Sequence, residues 1–227
     1  MTEHTRRAPR QAEAERNDRA LLQAAREALA ADGAHASVAT IAERAGVGIG
    51  SLYRRYRSKD ELFQRLCVIA LEEYSAAAEE GLAHGDPWEG LVHYAMASIA
   101  RGPGSLAPIA GTITVTPEMA DKNKRADAAV KALVDRAHAA GALRPDVTAV
   151  DLELLIEQLA KSPLLDQLNR QGRTDLAEAA LNARTRVTAI ALDGLRAPAP
   201  HVLPGDPPGY ELFSERWTSP ADSDLVR

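Results

Sequence analysis

Residues 37–59 read SVATIAERAGVGIGSLYRRYRSK, and this stretch decides the fold. Ser37 is a good helix N-cap, Ile41, Ala42 and Ala45 follow at helical spacing, and Gly46 offers a residue that tolerates positive φ where the helix must stop. A second short helix then runs through Leu52 and Tyr56. Two short helices that cross steeply need a small residue where they touch and a left-handed residue in the turn. Ala42 and Gly46 meet both demands at a separation of four. Ile41, Ala45, Val47 and Leu52 supply the shared core, with Leu52 pointing back inward six residues past the turn glycine. The spacing predicts a helix-turn-helix.

The charge pattern around this motif points to phosphate. The chain as a whole carries a formal net charge of −5, which hides its distribution. Residues 1–60 hold eleven Lys/Arg against eight Asp/Glu, a surplus of three, so the remainder carries −8. Between residues 44 and 59 there are five basic residues and no acidic one, a patch suited to a nucleic-acid backbone.

Outward from the motif the signals are helical nearly everywhere, and period-two alternation is almost absent, so the expected fold is all-α. A first helix is expected from Asn17, with Leu21, Leu22, Ala25 and Leu29 on one face, ending at Gly33. Ser58 and Glu61 form the S-x-x-E pattern of a reciprocal capping box at the head of a long fourth helix. Asp86-Pro87-Trp88-Glu89 starts another. Residues 101–117, RGPGSLAPIAGTITVTP, break the pattern and read as a short helix and loop rather than a strand, because a lone strand TITVT would lack a partner. Helical pattern returns over 116–140, restarts at Thr148 until Pro163 kinks or ends it, and closes with a helix over 174–195. There Leu176, Ala180, Ala183, Val187 and Ile190 make a narrow seam. The domains expected are a flexible basic arm over 1–16, a helix-turn-helix unit over 17–62, a larger helical domain over 63–196, and a Pro/Gly-rich flexible tail over 197–227. Tyr210, Leu212, Phe213 and Trp217 of that tail are available to dock. Cys67, alone amid LFQRLCVIAL, reads as a small buried hydrophobe.

At residues 41–62, IAERAGVGIGSLYRRYRSKDEL resembles the TetR/AcrR family signature IA-x-x-AGV-x-x-x-x-LY-x-x-F-x-x-K-x-x-L. One position departs from it: Tyr56 stands where that family usually has Phe. The resemblance covers residues 17–65, and GALRPDVTAVDLELL at 141–155 is similar to the stretch leading into that family's eighth helix. It implies a DNA-binding transcriptional regulator, a dimer on a palindromic operator, released by a small-molecule effector.

On that resemblance, Gly48, Ile49, Gly50, Ser51, Tyr53 and Arg54 lie on or beside the recognition helix and face the major groove. Arg54 suits a bidentate contact to guanine, and Ile49 suits a thymine methyl. Tyr53, Arg55 and Lys59 suit phosphates, as do Ser37 and Thr40. Lys59 adds an independent hint, since a cation in a helix's first turn opposes the dipole unless an anion joins it. A solvated helix face explains the same cations without DNA. Arg6, Arg7 and Arg10 either reach a minor groove or touch nothing.

A pocket among the helices after the fourth is likewise implied, with Trp88, Tyr94, Met96, Thr112, Thr114, Met119 and Glu157 as candidate lining, residues that also fit plain core packing. The two last long helices resemble the pair through which this family forms a dimer, although such a seam packs equally well inside one subunit. Gly46-Val47-Gly48-Ile49-Gly50 follows a helix and not a strand, so it is no dinucleotide loop. Glu89 and His93 share a helical face but make no metal set. No catalytic constellation stands out; the expected protein is no enzyme, needs no cofactor or metal, and, lacking an apolar leader or spanning run, is expected in the cytoplasm. The rival readings are a helical interaction protein whose helix-turn-helix is merely structural and an enzyme built on helices.

Overall fold

In a computed structural model, residues 4–101 and 109–214 are described, with the side chains of 13–101 and 109–212, which leaves that of Phe213 outside the described side chains. Arg6, Arg7 and Arg10 fall outside the described side chains, as does Trp217. The fold is all-α: among the described residues only an isolated bridge, Leu143 to Arg196, has β character. Two compact units divide it. The first comprises, among the described residues, 4–70 and 109–119; the second comprises 71–101 and 120–214.

The first unit opens with α1, His4–Asp32, which starts well before Asn17. QAEAER contains strong helix formers and no stop signal, so the helix continues backward through the segment expected as an arm. Leu21, Ala24, Ala25, Ala28 and Leu29 form its buried face. Gly33, at φ 60°, ends it in a 3-10 turn. Ser37 caps α2, Val38–Arg44, by accepting from the Thr40 N–H at 3.1 Å. Gly46 adopts φ 66° and turns the chain, and α3, Ile49–Arg55, follows. Ile41 and Leu52 are fully buried between them.

Next, α4, Lys59–Ala83, continues from the first unit into the second. Ser58 caps it by accepting from the Glu61 N–H at 3.1 Å. The reciprocal half of the expected box is shifted: the Glu61 carboxylate accepts from Arg57 N–H at 2.6 Å, one residue outside the cap. Cys67 is buried among Leu66, Phe63 and Ala70, and burial pushes its thiol up to about 12.

In the second unit, α5, Pro87–Ala100, is capped by Asp86, whose carboxylate accepts from Trp88 and Glu89 N–H. Gly81 of α4 and Gly90 of α5 touch backbone to backbone; a Cβ on either would collide with the other's carbonyl oxygen. Residues 109–116 are loop, as TITVT without a partner strand requires. Then come α6, Pro117–Ala139, and α7, Ala149–Ala160, under a complete Thr148–Asp151 capping box. Pro163 does not merely stop α7. It opens α8, Pro163–Arg170, a helix the sequence reading lacks. A 3-10 turn over Thr174–Leu176 leads into α9, Ala177–Asp193. Trp88, Leu91, Tyr94 and Ile99 of α5 pack with Val130, Leu133 and Val134 of α6 and with Leu152 and Ile156 of α7 as one core.

Beyond α9 the described residues of the segment read as a Pro/Gly-rich tail make hydrogen bonds to the second unit, Tyr210 among them as a residue available to dock. Buried Arg144 donates to the carbonyls of His201 at 2.7 Å and Gly194 at 3.3 Å, and Asp146 accepts from Leu203 N–H at 2.8 Å. Farther along, the Tyr210 hydroxyl donates to Asp127 on α6, just before α10, Glu211–Ser214. A Pro/Gly-rich segment cannot build its own core, but it can borrow backbone partners from a neighbouring loop.

Candidate nucleic-acid interface

Helix α3 owes its placement to one turn and one buried side chain. Gly46 reverses the chain, Val47 N–H bonds back to Ala42 carbonyl at 3.0 Å, and Leu52, with 0% exposure, seats the helix on the core. The opposite face is left to solvent. Ile49 is 48% and Tyr53 49% exposed, and Gly48, Gly50 and Arg54 are exposed beside them, with Ser51 half-buried. A buried Leu thus lies beneath a row of exposed apolar and basic groups. The Arg54 guanidinium folds back over the first turn of α3 and donates to Ser51 Oγ at 2.6 Å.

The two short glycines at the head of α3 are not demanded by packing. Gly48 sits at φ −64°, an ordinary value, and a Cβ on it or on Gly50 would meet nothing within 4 Å. Their smallness leaves open space in front of the helix. Ser37 and Thr40 lie at the start of α2, the former exposed and the latter half-buried, with their hydroxyl oxygens 2.8 Å apart.

Two of the expected phosphate ligands have partners inside the protein. Arg55 forks onto the Asp18 carboxylate of α1, Nε to Oδ1 at 2.8 Å and Nη2 to Oδ2 at 3.1 Å. The buried Tyr56 donates its hydroxyl to the same Oδ1 at 2.6 Å. Arg55 holds the Asp18 carboxyl below its ordinary range, opposed by burial and helped by the Tyr56 hydroxyl. Burial, then Asp18, pushes the Tyr56 phenol upward. Lys59 Nζ donates to the Ala34 carbonyl at 2.6 Å and lies 5.4 Å from the Phe63 ring centre. Asp18 escaped the sequence reading. Its signal was the extra hydroxyl of Tyr56, because a phenol in a buried ring position requires a hydrogen-bond partner.

Behind the end of α3 lies a cavity of about 260 Å³ lined by Arg55, Tyr56, Glu61, Gln64, Arg65, Val68, Thr116 and Glu118. Its wall carries two arginines and two glutamates, a balance that favours neither anions nor cations. Among the described residues no three His, Cys, Asp or Glu side chains group as a metal site. His93 pairs not with Glu89 but with Glu80, at 3.1 Å, and stacks on His84 at 4.9 Å.

The first 70 residues thus present a glycine-turned helix pair with a basic exposed helix. A family model for bacterial regulatory proteins of the tetR family matches residues 21–66. Residues 21–66 have the DNA-binding fold of that family. Solved structures agree on the fold. The TetR transcription regulatory protein from Mycobacterium vanbaalenii is 23% identical, with 82% of this chain and 99% of that chain covered and a TM-score of 0.54. A TetR family transcription regulator from Marinobacter aquaeolei VT8 is 23% identical, covering 82% and 98%, with a TM-score of 0.53. The TetR-like transcriptional regulator LfrR from Mycobacterium smegmatis, solved in complex with proflavine, is 24% identical, covering 75% and 95%, with a TM-score of 0.53. Among curated proteins nothing matches. The departure of Tyr56 from the TetR signature therefore has a structural account: it bonds Asp18.

The candidate pocket residues do not fall in one unit of the chain. Trp88 and Tyr94 are buried in the second unit, with Arg196 stacked 4.8 Å from the Trp88 ring. Met96 is exposed, and the Glu157 carboxylate lies 3.8 Å from Lys161. Met119, buried, and Thr112 and Thr114, exposed, belong to the first unit, where Gln64 donates to the Thr114 carbonyl at 2.9 Å. A further polar group in the second unit had no sequence signal: Ser98 Oγ is buried and, among the described residues, has no hydrogen-bond partner; burial pushes the phenol of Tyr94, four residues earlier on α5, upward. Among the described residues no helix is long and apolar enough to cross a membrane.

Proposed function

We propose that this chain is a one-component repressor whose α3 enters the major groove of a palindromic operator as part of a homodimer, and that a small molecule bound in the second unit releases it. The observation that carries this reading is the exposure of Tyr53 and Arg54 on a helix seated by a fully buried Leu52. Arg54 reads a guanine edge and Ile49 a thymine methyl, while Tyr53, Ser37 and Thr40 hold phosphates beside Gly48, Gly50 and Ser51. Arg55 and Lys59 are engaged inside the first unit, Arg55 with Asp18 of α1 and Lys59 with the 3-10 turn after it. The effector side rests on Trp88, Tyr94, Met96 and Glu157 of the second unit; Thr112, Thr114 and Met119 belong to the first unit. The proflavine held by LfrR supports a search that begins with planar organic molecules.

The test is fluorescence anisotropy of the full chain with a duplex from the DNA upstream of its own coding region and with a mixed-sequence duplex. Preferential binding of the upstream duplex is expected, and Arg54→Ala should lower that affinity by about 1–3 kcal/mol and relax the preference at one base pair. Equal binding of both duplexes by parent and variant would overturn the reading.

A further inference from the structure

We infer that Asp18 is an internal competitor for the DNA backbone: it occupies the guanidinium of Arg55, and so limits how tightly the recognition helix binds any duplex. This rests on the DNA-binding reading above and adds a control on affinity to it.

The geometry is that of a phosphate contact already filled. A guanidinium presents its N–H groups as a planar fork, which matches carboxylate and phosphate oxygens alike. In Arg55 the fork is taken by both oxygens of Asp18, at 2.8 and 3.1 Å. The side chain of Arg55 is nevertheless 58% exposed, at the last residue of α3, whereas that of Asp18 is 19% exposed. A cation in that position on a recognition helix is accessible to a polyanion; its acceptor is what stands in the way.

The acceptor cannot swing aside to make room. Asp18 sits inside α1, and its Oδ1 is held a second time by the hydroxyl of Tyr56, a residue only 4% exposed. A DNA phosphate that captured Arg55 would therefore strand a partly buried carboxylate, kept charged by its surroundings, close to the phosphate chain. Two anions would compete for one fork, and the one already aligned pays no ordering entropy. Every phosphate contact contributes affinity regardless of sequence, so the pair lowers binding to all duplexes rather than to one.

The experiment compares the parent, Asp18→Asn, Arg55→Gln and the double variant, each as the full chain, over a salt series on two probes: a duplex selected from a random pool by the parent, and a mixed-sequence duplex. Asparagine retains an oxygen that accepts from Tyr56, and thermal unfolding checks that each variant is folded. Asp18→Asn is expected to raise affinity for both probes, by roughly tenfold per engaged recognition helix at low salt. It should also steepen the slope of log affinity against log salt by about one per helix. Arg55→Gln alone should leave the slope unchanged, because its charge was not on DNA. The double variant should return to the parental slope; if it keeps the gain, loss of a repelling carboxylate explains the effect and the inference falls. It falls equally if Arg55→Gln flattens the parental slope, since Arg55 would then reach phosphate despite Asp18. A parent that binds neither probe overturns the DNA-binding reading instead.

Discussion

Lys59 Nζ donates to the carbonyl oxygen of Ala34 at 2.6 Å, fastening the first turn of α4 to the 3-10 turn that ends α1. A cation at the head of α4 opposes that helix's dipole, and in the sequence this discord suggested a phosphate partner. The partner present is the carbonyl-rich terminus of α1, where a cation is favoured by roughly 0.3–1 kcal/mol. Lys59→Ala should therefore cost about 1 kcal/mol of stability in urea denaturation and leave the salt slope of DNA binding unchanged. A slope reduced by about one would return Lys59 to the phosphate backbone.

Gly50 offers the converse test, a substitution that helps the fold and harms the interface. It lies in the first turn of α3 with no atom within 4 Å of an added Cβ, and alanine in a helix is favoured over glycine by up to about 1 kcal/mol. Gly50→Ala should raise the melting temperature and weaken operator binding, because the new methyl projects from the face proposed to meet DNA. A variant that is more stable and binds as well as the parent would place α3's contact face elsewhere.

What the sequence disclosed were the features written in neighbouring residues. Ser37 as a cap, Gly46 with its positive φ, Asp86 before Pro87, and Thr148 as a helix start all act within one turn of the chain, and each forms as its residue types require. The relationships that escaped join distant residues. Asp18 and Arg55 are 37 apart, Lys59 and Ala34 are 25 apart, and Arg144 reaches the His201 carbonyl 57 residues on. Nothing local marks those pairs. Pro163 misled for a different reason: the same residue that stops one helix is favoured at the first position of the next. Apolar residues at helical spacing, Trp88 and Tyr94 among them, carry no sign of whether they pack against protein or ligand.

The seam expected on the last long helix divides in the structure. Ala180 is buried within its own unit, yet Val187 is 57% and Ile190 66% exposed, with Leu181 and Leu176 exposed on the same helix and the turn before it. Large apolar groups left in water on a regular helix favour burial against a partner, which in the proposed homodimer is a second copy. Val187→Glu combined with Ile190→Glu should convert a dimer to a folded monomer in sedimentation experiments and abolish operator binding. An unchanged mass would move the dimer contact away from α9.

Asp146 fixes the chain beyond α9 through charge, and its titration predicts when that hold fails. Its carboxylate accepts from Arg144 Nε at 2.7 Å and Nη2 at 2.9 Å and from Leu203 N–H at 2.8 Å. Arg144 first, and the Leu203 amide second, hold its carboxyl well below the ordinary carboxylate value. A group whose folded value is depressed stabilises the folded state above its unfolded value, near pH ~3.9, and loses that contribution as pH falls through the folded one. Asp146→Asn should therefore lower the urea midpoint by a constant amount from about pH 8 to about pH 5, and the gap to the parent should close progressively below about pH 4. The Leu203 amide should exchange faster in the variant at neutral pH. A gap that persists undiminished to about pH 2 would show that the Asp146 charge is not what holds residues 196–203 in place.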